Sequence, residues 1–485
     1  MNNYLLKINT NIIISIMLYG CSFAPPERIP TMPIPKSFKE TGKWIQITPT
    51  VKLHNHNWWQ LFTDPQLNKL EQQVTCGNDN IKVAIARYQK SCAIAQAAYS
   101  ASYPTIVGIA NPVRQKNSVN IANANFSPAY LYNIFMLGAN LTYEIDAWGK
   151  IRNTAKTAAK LAQANLFDLA TIDLSMHTEL AKNYFLLRGQ LMMQDVLDRT
   201  IIAYRKAFII TRNRYKGGIS TVDDVYQALT QLENAKTLAT ETRLKSAQLK
   251  HAIAVLIGEI PSNFNLTIHN RERIKLITIS PDLPSTLLAH RPDVAARAAQ
   301  VQAANAAIGV ARAAFFPAFN LNLLLGLQSQ QVSNLFNASS IFWSLGSPTT
   351  LTLVEPAINQ IIFDGFKLQA QLKYAKASYY EAVSAYRQTA LTAFQEVEDN
   401  LVALHRLDQE IITQQAATNA AYRALFQENQ RYLGGISTFL DIVILENQAL
   451  QAKLALIVLQ TRRQIASVQL IKALGGNILE NTKNM

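Results

Sequence analysis

Cysteine is scarce: three residues in a chain of 485 are too few for a disulfide framework. Cys76 and Cys92 stand sixteen positions apart. On one helix they would be about 24 Å apart, against the roughly 7 Å between Cα atoms that a bridge tolerates. Only a tight fold-back at Gly77-Asn78-Asp79-Asn80 could join them, and they read as buried thiols. The seven histidines have no paired spacing, and no Cys/His cluster has the spacing of metal ligands. A nucleophile with its base, a pair of catalytic carboxylates and a phosphate-binding loop are equally missing, so the chain reads as no enzyme and as needing no cofactor or metal. Acidic residues are few, 32 against 46 basic ones, for a formal charge of +14. The Lys and Arg are spread along helix-like segments without basic-aromatic clusters, which argues against a nucleic-acid partner. The excess suits contact with anionic lipid headgroups or a solvated basic surface. Long apolar runs are missing too: beyond residue 20 none reaches eighteen residues, so no helix is expected to span a bilayer. At 49% hydrophobic and 16% charged, the chain can nevertheless bury a core.

At the start, Lys7 precedes a short apolar stretch from Ile12 to Leu18, the pattern of a secretory signal over residues 1–20. Leu18-Tyr19-Gly20-Cys21 resembles a bacterial lipobox, in which the Cys is acylated and becomes the mature N-terminus. Cys21 is therefore the expected lipidation site, and Ser22 after it implies sorting to the outer membrane. Residues 21–57, with Pro25, Pro26, Pro30, Pro33 and Pro35, read as the lipidated end and an extended linker to a body that starts near Trp58.

The body repeats itself. Arg214-Tyr215-Lys216-Gly217-Gly218-Ile219-Ser220-Thr221 recurs 217 positions later as Arg431-Tyr432-Leu433-Gly434-Gly435-Ile436-Ser437-Thr438, and Asp224 falls on Asp441. The corners Tyr103-Pro104 and Phe316-Pro317 match at a spacing of 213. These matches divide the chain into a first repeat over 58–258, a connection over 259–292, a second repeat over 293–476 and a tail over 477–485. Apolar residues from Ile151 to Leu191 recur about every 3.6 positions, the α-helical period. Residues 367–433 contain neither Gly nor Pro, and a helix of that length would span about 100 Å. No ordinary core hides such a helix, so it belongs to a coiled coil or a wall of packed long helices. The Gly pairs then mark hairpin tips, followed by returning helices over 219–257 and 436–474. Further short helices are predicted near 80–103 and 293–316, stacked end to end with the returning ones.

Between short and long helix each half changes character. Gly138 to Asp146 alternates polar and apolar residues as a strand does, with counterparts at Thr105–Pro112, Ala318–Leu327 and Thr349–Phe363. Pro356 inside the last demands an edge, a bulge or a shorter span. Arg114–Tyr130 and Gln328–Ser347 read as loops. Two soluble hairpins are one account of these strands. Their length and single apolar face suit a membrane barrel, which four strands cannot close alone, so copies would have to pool them.

Several motifs, in order, resemble one known family. Trp58-Trp59-Gln60-Leu61-Phe62-Thr63-Asp64-Pro65-Gln66-Leu67 looks like the body-opening motif of TolC-like outer-membrane efflux proteins, in the lipoprotein branch serving resistance-nodulation-division pumps. Leu283-Pro284-Ser285, Arg291-Pro292-Asp293 and the run from Ala303 to Ala311 leading into Phe315-Phe316-Pro317 are similar to that branch nearly residue for residue. Asp146-Ala147-Trp148-Gly149-Lys150 and Phe363-Asp364-Gly365 resemble its strand-to-helix junctions. The resemblance implies a mainly α fold with a β-barrel portion: a homotrimer with a long helical barrel and four transmembrane strands per chain, twelve in the trimer. It further implies outer-membrane lipid around the strands, a periplasmic adaptor on the helical tips, and an inner-membrane pump that drives drugs or small molecules through a passive duct. By similarity Arg214, Tyr215, Gly217, Gly218, Arg431, Tyr432, Gly434 and Gly435 belong to the tips, where the bore is held shut and the adaptor docks. Leu440 matches an apolar constriction residue; the acidic one expected four positions on is Ile444. Asp224 and Asp441 either supply that charge or are first-turn carboxylates favoured by the helix dipole. Trp58 and Trp59 are expected to be packing anchors, and Arg291-Pro292-Asp293 a helix-start brace. A conduit for secreted proteins and a periplasmic coiled-coil scaffold outside the membrane are the competing readings.

Overall fold

The computed structural model describes residues 22–26, 38–39, 57–116, 131–268, 291–345 and 358–476. Cys21 lies outside them, as do the signal segment, most of the linker and the tail. The chain forms two compact units that interleave in sequence: one takes Tyr88–Ala164 and Arg297–Tyr386 with the N-terminal segment, the other Met32–Arg87, Asn165–Ala296 and Arg387–Met485.

Seven α-helices are described: α1 Pro65–Gly77, α2 Asp79–Ser100, α3 Lys150–Lys216, α4 Val222–Leu256, α5 Pro292–Ala313, α6 Lys367–Leu433 and α7 Phe439–Ala473. The lengths pair off, with 67 residues in α3 and α6, 35 in α4 and α7, and 22 in α2 and α5. Helix starts are capped by side chains. Asp146 accepts from the amides of Ile151 and Arg152 at 3.0 and 2.9 Å, and Asp364 from that of Leu368 at 2.8 Å, satisfying donors that a first helical turn leaves orphaned. Where α3 passes α7, a Cβ on Gly189 would press on the Thr461 side chain and force it to shift.

The β-bearing unit holds one antiparallel sheet: β1 Thr105–Lys116, β2 Leu131–Ile145, β3 Ala318–Ser329, β4 Ile341–Leu345 and β5 Ile358–Asn359. Its order is β1-β2-β3-β4, with β5 also on β3. The register sets Ile106, Leu141, Leu323 and Leu345 in one row, and Gly108, Ala139, Leu325 and Trp343 in the next. Asn140, Thr142 and Asn322 fall on the other side, so one face of the sheet is apolar across its full width. That face stays largely uncovered by the described residues, with Leu325, Ile341, Trp343 and Leu345 exposed. Gly138 and Gly326 stand directly opposite each other, and a Cβ on either would strike the partner strand's backbone.

The edge differs from the sequence expectation. Of the strand expected over Thr349–Phe363, residues 349–357 lie outside those described and the remainder pairs only as β5, while β4 lies inside the segment read as a loop. Continued without a break, β4 would bring residue 349 opposite Phe319, but Ile358 stands there, nine residues later. Beyond Asn359 the Gln360 side chain donates to the carbonyls of Phe315 and Ile361, and Asp364-Gly365 begins the next helix, so pairing stops. β1 also runs past Pro112 to Lys116, on an edge strand, where a proline is tolerated.

The core of the second unit gathers Trp58, Trp59, Phe62, Leu67, Tyr184, Phe185, Leu401 and Leu470. Trp58 and Trp59 are both buried there, in the packing role expected of them. α7 is by length and composition apolar enough to cross a membrane, with a window of mean hydropathy 1.6, although Asp441, Glu446 and Lys453 break its sequence. Its Val468, Leu470 and Ile471 are packed into this core. The thiols are free but not buried as expected: Cys76 is exposed and Cys92 half-buried.

Within this unit a helix end meets a helix start twice. Asn78 caps α2 through its carboxamide oxygen, at 2.9 Å from the Asn80 amide, and donates its Nδ2 to the Leu256 carbonyl at the end of α4, 2.7 Å away. Gly77 and Gly258 make the approach possible, since a Cβ on Gly77 would stand 2.0 Å from the Ile257 carbonyl oxygen. In the other half Arg291, just ahead of α5, donates to the Ala473 carbonyl at the end of α7, 3.0 Å away, and to Glu396 at 2.7 Å and Asp293 at 2.6 Å. Its neighbouring carboxylates outweigh the burial that would lower its pKa, and hold it above the ordinary arginine value. The Arg-Pro-Asp brace thus ties three helices, the start of α5, the end of α7 and Glu396 on α6.

Candidate functional site: the hairpin tips

The two hairpin ends are built alike. α3 closes with the Ile219 amide donating to the Arg214 carbonyl at 2.9 Å and the Gly218 amide to that of Tyr215 at 2.9 Å. α6 closes with the Ile436 amide on the Arg431 carbonyl at 2.9 Å and the Gly435 amide on Tyr432 at 3.0 Å. Reversal requires a left-handed residue, supplied by Gly218 at φ 73° and Gly435 at φ 78°. A Cβ at either would meet nothing within 4 Å. The glycines are therefore demanded by backbone conformation, not by crowding within the chain. Gly217 and Gly434 precede them with negative φ and donate to the carbonyls of Asn213 and Gln430.

Each returning helix opens with a reciprocal capping box, Thr221 with Asp224 and Thr438 with Asp441. The Asp224 carboxylate accepts from the Thr221 amide at 3.1 Å and the Ser220 hydroxyl at 2.8 Å. Burial alone would raise its pKa, but these bonds and the Arg214 charge hold it below the ordinary value. The Asp441 carboxylate accepts from the hydroxyl and amide of Thr438 at 2.7 and 3.0 Å, which lowers its pKa likewise. Of the two readings of these aspartates, the structure shows the first-turn capping role.

The tips also touch each other. Arg214 donates to the Tyr432 hydroxyl at 2.8 Å, with its guanidinium 5.1 Å from the ring centroid. Tyr432 packs with Phe208 against a small cluster of Ala228, Phe439 and Val443. Arg431 instead faces Glu428 on its own helix at 3.4 Å. Tyr215, Ile219, Ile436, Leu440 and Ile444 are exposed, and Leu440 and Ile444 stand one helical turn apart. The repeat put Arg214 and Tyr432 at corresponding tips but not in contact, since no local signal pairs residues 218 positions apart.

Farther along α7 lies a group the sequence did not single out. Burial raises the Glu446 carboxyl pKa to about 7. Tyr204 on α3 is raised by burial and by the charges of Glu446 and Tyr422, and its hydroxyl has no hydrogen-bond partner among the described residues. None of these groups forms a nucleophile with its base.

Paired 67-residue helices with hairpin tips, in a chain that also carries a sheet with one apolar face left uncovered by the described residues, define a membrane-associated helical-channel protein. Residues 70–259 and 283–476 match the outer membrane efflux protein family, so the chain belongs to that family, in agreement with its TolC-like motifs. It is similar to the probable efflux pump outer membrane protein TtgC of Pseudomonas putida, 27% identical with 97% of this chain and 95% of the relative covered. It is 28% identical to outer membrane protein OprJ of Pseudomonas aeruginosa, covering 96% and 95%. Among solved structures, the Campylobacter jejuni CmeC outer membrane channel aligns with a TM-score of 0.87 at 25% identity, covering 94% of this chain and 95% of that one. The protein is an efflux component of the bacterial outer membrane.

Proposed function

We propose that three copies of this chain form the duct of a tripartite efflux system, in which the sheets join into a twelve-stranded barrel in outer-membrane lipid and the long helices form a periplasmic α-barrel. The observation that carries this reading is the apolar sheet face, continuous over four rows of strands and bounded by edges that the described part of the chain leaves unpaired. In hydrocarbon an open edge leaves backbone groups without partners at several kcal/mol each (roughly, by transfer data), so closure with further copies removes that cost. Acylation of Cys21 adds a lipid anchor to the assembly. Relatives named for antibiotic, toluene and cation efflux resemble the chain almost end to end. One duct architecture therefore serves chemically unlike cargo, which fits a passive conduit whose cargo is chosen by an inner-membrane pump of the resistance-nodulation-division class.

The periplasmic adaptor docks on the tips formed by Arg214, Tyr215, Gly217, Gly218, Arg431, Tyr432, Gly434 and Gly435. Asp224 and Asp441 are engaged in their capping boxes, and Leu440 with Ile444 offers an apolar stripe. The constriction accordingly gates by dewetting, without an aspartate ring. Replacing Gly435 by Leu strains the left-handed reversal and puts a side chain into the open space at the tip, and is expected to abolish export, read as drug susceptibility, while the yield of trimer is maintained. Full export with Gly435→Leu would remove the docking assignment.

A further inference from the structure

The first residues after Cys21 are described as seated against the β-bearing unit. The Asn153 carboxamide and the Ser22 hydroxyl bond at 3.2 Å, Arg312 donates to the Phe23 carbonyl at 3.0 Å, and Asn305 donates to the Pro25 carbonyl at 2.8 Å. The Phe23 ring stacks on Phe316, with centroids 4.5 Å apart and planes 6° apart, and beyond it on Trp148. Ala24 passes over Gly309 so closely that a Cβ there would stand 2.9 Å from both the Ala24 Cβ and its amide nitrogen. Asn153 and Asn305 are buried beneath the segment.

Asn305, Gly309, Arg312 and Phe316 follow one another at steps of four, three and four, a single stripe along α5 and its end. The repeat supplies an internal control. At the 213-residue spacing the first half carries Cys92, Gln96, Tyr99 and Tyr103 at these places, so the glycine gap and both donors to the segment are found in one half only. Such a stripe is not a by-product of packing two helices.

We propose that Ser22–Pro25 is a strap seated in a slot built by Asn153, Asn305, Gly309, Arg312 and Phe316, and that it holds the anchor on Cys21 beside the base of the sheet so that both enter the same bilayer. The second half of this statement rests on the reading of Cys21 as acylated. Phe38, buried in the other unit, lies seventeen positions from Cys21, a separation whose extended reach of up to about 55 Å exceeds the hydrocarbon thickness of about 30 Å, so Phe38 does not by itself fix an anchor. With the strap seated, one peptide unit separates the anchor from a fixed point.

Thermolysin cleavage of the Ser22–Phe23 bond in the full, detergent-solubilised protein tests the slot, with the chain beginning at Phe23 measured by mass spectrometry. The wild type is expected to resist. Gly309→Leu is expected to be cut at least ten-fold faster, and the milder Asn305→Ala/Arg312→Ala pair several-fold faster, which covers the case of misfolding in Gly309→Leu. A wild type cut as fast as these variants would overturn the strap. Positioning is tested by inserting six Gly/Ser residues either between Ser22 and Phe23 or between Pro26 and Glu27. Only the first should lower the amount of protein assembled in the outer membrane, and equal effects of the two would overturn the positioning role. Labelling with palmitate reads the lipid separately, because an unlabelled wild type whose bond still resists would remove the anchor and leave the strap.

Discussion

Among single residues Arg291 is asked to do most. Its guanidinium joins two acidic side chains and the last carbonyl of α7 in a nearly enclosed site. Arg291→Met keeps the bulk but removes the charge-assisted hydrogen bonds, and is expected to cost about 1–3 kcal/mol of stability, because Asp293 and Glu396 still reach solvent. The apparent melting midpoint should drop accordingly, and Arg291→Lys should recover only part, because a lysine cannot fork to three acceptors. Glu446 offers a pH test. Its carboxyl is held up to about 7 by burial, against an ordinary 4.5, so the folded state binds this proton more tightly than the unfolded one. The stability it contributes is present below pH 4.5 and is lost as pH rises through about 7. Glu446→Gln should remove that decline and leave the protein more stable than wild type at pH 8, by on the order of 2 kcal/mol after allowing for partial solvent contact. A wild-type melting curve that does not move between pH 5 and pH 8 would contradict it.

For the helices and strands, the capping boxes predict a small, equal pair of effects. Thr221→Ala and Thr438→Ala should each cost about 1 kcal/mol, the ordinary worth of an N-cap, seen as faster amide exchange in the first turns of α4 and α7. The elements were legible in proportion to their length. Residues 367–433 form a single helix, as the absence of breakers indicated, and the Gly pairs announced both reversals. β4 was hidden because its five residues follow Asn- and Ser-rich sequence that reads as a loop. The strap was hidden for another reason. Ser22 to Pro26 has a linker's composition, and only partners such as Asn305 and Arg312, far along the chain, give it a seat. The tips were legible as positions, through the repeat, and illegible as contacts: nothing in the words Arg-Tyr-x-Gly-Gly says that one arginine takes the other's tyrosine.

On the scale of the whole molecule, a sheet with one uncovered apolar face cannot remain alone in water. The purified protein should run as a particle of about three times the 54.0 kDa chain, and should precipitate when detergent is withdrawn; a single copy that stays dissolved in plain buffer would refute the pooled barrel. The bond from Arg214 to Tyr432 has a further effect once copies stand around an axis. It ties the ends of two hairpins of the same polypeptide, so neither can swing outward without dragging or releasing its twin. The proposed trimer would then have three movable parts rather than six, and an adaptor docked as proposed that pries loose one hairpin would already have unlocked the other.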